Sequence, residues 1–198
     1  AVVERLAGPG AGRPGIIFLF LSRGRTRAAA ARRSAAARKL AAEALAHEGL
    51  SVGSWRDVPV RPEALGAEAA ASRPTFAQAI VPRPDGLSAD AFELRLVAAR
   101  RRMEAAAREA GLEDFSVPSA SCRTVVYKGL VAGGRLADLY PDLAAPLPVS
   151  YAAFHQRYAT NTHPAWRLAQ PFRLLAHNGE INTVRGNREQ VRGRAADP

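Results

Sequence analysis

The chain has 198 residues, 47% of them apolar, enough for one domain with its own core or a large part of a bigger one, and too apolar for a disordered polymer. Much of the apolar share is Ala and only 7% of the chain is aromatic, so the core-forming set is thin. The net charge is +10, and of 28 basic residues only Lys39 and Lys128 are lysines. Such a field can draw nucleic acid or a membrane surface, but the arginines are scattered through every segment. Only Arg23–Lys39 gathers seven basic residues without an acidic one, and it lacks the interleaved aromatics of a single-strand binding platform, so a nucleic-acid partner is not expected. The lone cysteine, Cys122, excludes an internal disulfide framework and a multi-cysteine metal site and fits a reducing, cytoplasmic location. No apolar run approaches the roughly 20 residues that span a bilayer, and the start AVVERLAGPG lacks a signal pattern.

In chain order, the run GIIFLFL (15–21) predicts a strand buried on both faces. A helix follows from Thr26, an N-cap, to Glu48, with Gly49 as its stop and Leu40, Ala44 and Leu45 as its contacts. Residues 50–60 (LSVGSWRDVPV) are extended, and Ala64–Ala71 forms a helical turn or more. TFAQAIV (75–81) alternates as a second strand. From Ser88 to Gly111 a long helix places Phe92, Leu96, Ala99, Met103, Ala106 and Ala110 on one face, a core stripe. Phe115–Ser119 and Cys122–Leu130 are predicted as neighbouring strands, Leu136–Leu143 as a short helix, and Tyr151–Tyr158 and Phe172–Ala176 as further strands. Strands interleaved with two long helices, without a βαβ rhythm, give an α+β fold.

One stretch differs in kind. Residues 151–187, YAAFHQRYATNTHPAWRLAQPFRLLAHNGEINTVRGN, hold three of the four histidines and most of the Asn and Gln. Asn178-Gly179 at a strand end can deliver a side-chain amide and a backbone N–H side by side, as an oxyanion hole requires; the same dipeptide also makes common turns. Arg157, followed by Tyr158 and Thr160, can bind a carboxylate bidentately with hydroxyl support, or simply be a solvated charge. The spacing of His155, His163 and His177 matches no metal-ligand pattern. Cys122 can be a nucleophile in principle, but in a polar strand beside Ser121 and Thr124 it reads as a small buried residue.

HQRYATNT, PAW and RLAQPFRLLAHNGEINTVRGN together resemble the glutaminase domain of the large subunit of glutamate synthases, a class II glutamine amidotransferase of the N-terminal-nucleophile type. The likeness extends back through WRDVPV (55–60), RTVVYKGL (123–130) and LYPDL (139–143), covering about residues 15 to 187. It implies a four-layer αββα sandwich, of which 1–198 is a single partial domain lacking the nucleophile segment and the C-terminal part. It also implies glutamine as substrate, hydrolysed to glutamate and ammonia for transfer to 2-oxoglutarate. Asn178 and Gly179 become the oxyanion hole, Arg157 the carboxylate grip, and Tyr158 and Thr160 the pocket lining. The full-length family enzyme is implied to carry FMN and an iron–sulfur cluster, none of it in this chain. The rest of the synthase polypeptide and a small electron-donating subunit are the implied partners. Two departures stand out: residue 1 is Ala where the family opens on its nucleophilic Cys, and the acidic residue that the family places downstream of HNGEIN for the substrate α-amino group is expected to lie beyond these 198 residues. The chain alone is therefore expected not to hydrolyse glutamine. The alternative is a basic, non-enzymatic binding module built on Arg23–Lys39.

Overall fold

A computed structural model describes residues 13–21, 23–24, 26–112, 114–156, 163–169 and 184–195. Within them an antiparallel sheet has the order β2-β3-β1-β4, built from β1 (Gly15–Leu21), β2 (Ser54–Asp57), β3 (Thr75–Val81) and β4 (Ser116–Ser121). Strand β1 is central, and all seven of its residues are buried. That is why its sequence is apolar without alternation. It pairs with β3 from Gly15↔Val81 to Leu21↔Thr75. Its pairing with β4 shifts register between Phe18 and Phe20, where Pro118 sits in the facing strand. A proline is tolerated there because β4 is an edge of the described sheet.

The pleat divides two cores. Ile17, Leu19, Leu21, Ala77, Ala79 and Val81 face helices α1 (Arg27–His47) and α3 (Ala89–Glu109). Both helices begin and end as the sequence dictates. The Thr26 and Ser88 hydroxyls accept from Ala29 N (3.1 Å) and Ala91 N (3.2 Å). Gly49 (φ 67°) and Gly111 (φ 65°) turn left-handed past the ends, and Leu50 and Leu112 reach back to Leu45 O and Ala107 O. In α1 the buried set is Ala37, Ala41, Ala44 and Leu45, with Leu40 only partly buried. In α3 the stripe ends on Ala107, not on Ala106 and Ala110, because the buried face follows the helical period past Met103.

On the opposite face Phe18, Phe20 and Phe76 stack with Tyr127, Tyr140 and Trp166, brought by the segments after β4. Between β2 and β3 lie a 3-10 turn (Pro62–Ala64) and α2 (Ala67–Ser72). Residues 136–143 form α4 (Leu136–Leu139) and a second 3-10 turn, Pro141–Leu143. Helix α5 (Val184–Ala195) follows later.

Two strand expectations are corrected. Residues 122–130 are irregular because the Ser121 hydroxyl accepts from Arg123 N (3.0 Å) and Thr124 N (3.1 Å), turning the chain out of the sheet. Residues 151–156 are also irregular and exposed, with Tyr151 at 69% and Phe154 at 81%, and join no strand of the described sheet, while 157 and 158 lie outside the described residues. Phe172–Ala176 lies outside the described residues.

Candidate functional site

Three sequence-distant stretches converge on the aromatic face. Arg56 of β2 donates to both carboxylate oxygens of Asp142, at 2.5 and 2.8 Å, and to Gln78 Oε1 at 2.8 Å. The Tyr127 hydroxyl donates to Asp142 Oδ2 (2.8 Å) and accepts from Gln78 Nε2 (3.2 Å). The result is a closed polar ring beneath the aromatic rings, every member satisfied, in a setting where an orphaned group would be costly. Burial pushes the Tyr127 phenol up to about 12, so it stays a donor to the carboxylate. The hydrogen bond to Asp142 raises the Arg56 guanidinium still higher.

Next to this ring the chain folds back at Trp166. The indole packs on Phe76 (5.5 Å between centroids) and Phe20 (6.1 Å), and its Nε1–H donates to Ala69 O (3.2 Å). Gly129 makes room: a Cβ there would stand 3.0 Å from the indole and 3.2 Å from Leu139. Lys128 donates through Nζ to Arg167 O at 3.0 Å, and its own carbonyl accepts from the buried Tyr140 hydroxyl, also at 3.0 Å. Lys128 is only 5% exposed. Burial, reinforced by nearby Arg100 and opposed by Glu104, lowers its ammonium to about 8. Above this seam opens a surface cleft of about 670 Å3, lined in part by Arg23, Glu68, Arg135, His163, Trp166 and Arg167. His163 lies 3.8 Å from Glu68 at its exposed rim.

The five residues expected to hold and polarise substrate, Arg157, Tyr158, Thr160, Asn178 and Gly179, lie outside the described residues, as does His177. Cys122 is described, and it is 3% exposed. Its Sγ faces Ala89 O at 3.8 Å, while its backbone N–H is held by Glu93 (2.9 Å). That is the setting of an inert core thiol, not of a nucleophile. Among the described residues no group of three or more His, Cys, Asp or Glu could hold a metal ion, and no helix is long and apolar enough to cross a membrane. Sequence reasoning gave no role to Arg56, Gln78, Tyr127, Lys128 or Asp142. The signal for Lys128 was its rarity, one lysine of two in a chain that otherwise uses Arg.

The family model for class-II glutamine amidotransferases matches residues 8–197. The chain belongs to that family. Arg56, Tyr127 and Asp142 fall in WRDVPV, RTVVYKGL and LYPDL, so the polar ring ties together three of the stretches in which the family likeness was read. Among curated relatives, the glutamate synthase [NADPH] large chain of Azospirillum brasilense is 46% identical over 140 residues, covering 70% of this chain and 9% of the relative. Ferredoxin-dependent glutamate synthase 2 of Synechocystis is 46% identical over 141 residues, 71% of this chain and 9% of its own length. The chloroplastic ferredoxin-dependent enzyme of Oryza sativa subsp. japonica is 42% identical over 151 residues, 75% of this chain and again 9% of the relative. The chain thus spans about a tenth of the length of these amidotransferase relatives.

Proposed function

We propose that this amidotransferase chain forms the substrate-binding wall of a glutamate synthase glutaminase domain. The observation that carries the reading is the family match over residues 8–197 together with the HNGEIN and RYATNT stretches inside it. In this reading Arg157 grips the glutamine α-carboxylate, with Tyr158 and Thr160 lining the pocket. The Asn178 amide and the Gly179 N–H receive the oxyanion as a thiolate adds to the side-chain amide. Ammonia then leaves, and water cleaves the thioester to glutamate. Cys122 is a poor candidate for the thiol because it is walled in by Ala89 and Glu93; the attacking group is assigned to polypeptide outside these 198 residues.

The described sheet carries long helices on one face only, which supports a second sheet stacking on the aromatic side to complete the four-layer sandwich. Transfer of ammonia to 2-oxoglutarate belongs in this reading to the rest of the synthase. So does FMN, and so does the iron–sulfur cluster, since a single cysteine does not supply the set of thiolates that such clusters use. The basic-module alternative is not favoured: Arg23, Arg33 and Arg38 of that stretch are engaged by Asp114, Gly111 O and Asp57.

Two measurements test the proposal. Purified chain should bind glutamine in equilibrium dialysis, and Arg157→Ala should weaken binding by about tenfold or more, as loss of a charge-assisted pair does. The chain should release no more ammonia from glutamine than its Cys122→Ala variant. Absence of binding, or ammonia release above that control, overturns it.

A further inference from the structure

The longest uncharged run in the sequence is 143–156, LAAPLPVSYAAFHQ, which holds no Asp, Glu, Lys or Arg. Three of the next longest, 14–22, 74–82 and 115–122, supply the buried strands β1, β3 and β4. The run 143–156 has a similar composition and the opposite fate: all of it except Leu143 and Leu147 is exposed. Val149, Tyr151 and Phe154 stand 56%, 69% and 81% open to solvent. Every other described aromatic residue is buried or half-buried, in a chain that has few rings. The strip is anchored at both ends. At one, Asp142 closes the polar ring with Arg56 and Tyr127; at the other, the Gln156 side chain lies 3.1 Å from where a Cβ on Gly133 would be.

We propose that 143–156 is an interface within the synthase, covered by an apolar, uncharged face of polypeptide outside these 198 residues. The inference rests on the glutamate synthase reading above and adds to it a surface and the chemistry of what covers it. A strip without charge offers nothing to a nucleic acid or an acidic peptide, whose capture needs cations. What it gains on covering is the removal of aliphatic and aromatic surface from water. The cores of protein interfaces share its character, poor in charge and rich in Tyr and Phe. A second copy of the chain is the weaker occupant for two reasons. Each copy brings a net charge of +10, which opposes association. The 14 residues also fall short of the roughly 20–30 per side that hold separate proteins together, whereas a contact inside one polypeptide avoids most of the cost of association. In the curated relatives the matched stretch is 9% of one much longer chain, so nearly all the polypeptide available to this surface lies beyond the matched part.

Hydroxyl-radical footprinting of Tyr151 and Phe154, read residue by residue by mass spectrometry, tests this. Two proteins are compared: the 198-residue chain, and the Azospirillum brasilense large chain with its matched stretch replaced by these residues. In the chain alone both rings should react within about twofold of their rate in urea, while the buried Phe18 and Phe76 are protected. In the chimera both should slow by about fivefold or more, independent of protein concentration, as interface rings shielded from water do. Full reactivity in the chimera overturns the inference. So does protection in the chain alone, whether at every concentration or only at high ones, the mark of a second copy. The double variant Tyr151→Ser, Phe154→Ser should leave the melting temperature of the chain within about 2 °C of wild type. A larger fall means that the rings pack inside the chain, and it overturns the inference too. Ammonia release from glutamine by the chimera separates the two readings. Protection without ammonia upholds the interface and removes the glutamine reading, while ammonia with both rings reactive does the reverse.

Discussion

Asp142 shows how much one side chain can organise. Its two oxygens take both guanidinium nitrogens of Arg56 and the phenol of Tyr127, and its own side chain is only 12% exposed. Removing it leaves a half-buried cation and a buried phenol without their acceptor, a worse outcome than never having buried them. Asp142→Ala should destabilise by about 2–4 kcal/mol, Tyr127→Phe by about 1 kcal/mol, and the double variant by less than their sum. Urea denaturation of the three variants checks this, and simple additivity would mean that the ring is not a unit.

Among the elements, β1 contributes most to the core because it is buried on both faces. Phe18 meets Phe20, Phe76, Tyr127 and Tyr140 edge-on or nearly so, with centroids 5.3 to 6.1 Å apart. Phe18→Ala should cost about 3–5 kcal/mol, the transfer term plus the cavity. Ser88→Ala, by contrast, removes one cap bond at the start of α3 and should cost only about 1 kcal/mol. Thermal denaturation distinguishes them readily; a cap variant as damaging as the core one would show that α3 nucleates the whole helical layer.

The pH dependence of stability is a property of the whole molecule. Lys128 has a folded value of about 8 against an ordinary 10.5, so between these pH values the unfolded chain binds more protons and stability rises with pH. The gain is at most about 3 kcal/mol. Tyr127, pushed up to about 12, and Tyr140, raised further by burial, have the opposite sign: their contribution is present below pH 10 and is lost as pH rises beyond it. Stability should therefore climb from pH 8 to about 10 and then fall. Urea midpoints at half-unit intervals check this, and Lys128→Met should flatten the climb while leaving the fall. A flat wild-type profile would mean that the ammonium is not desolvated.

Local pattern was sufficient for β1, for the bounds of α1 and α3 and for the two-sided core, because caps, stops and periodicity act within a few residues. It was sufficient for the family too, through continuous motifs. It misplaced 122–130 as a strand, since the β-branched and aromatic run Thr124–Tyr127 favours extended chain, while the turn depended on the Ser121 hydroxyl facing the amides just after it. By itself, then, the sequence determined the α+β class, the helix limits and the amidotransferase family. Only the tertiary structure decided that Cys122 is walled in, that Arg56 meets Asp142 86 residues away, and that Lys128 is buried beneath Arg167 O. Spacing along a chain reports the neighbours that backbone geometry enforces; which distant groups share one low-dielectric pocket is settled only when the sheet and its returning segments close over it.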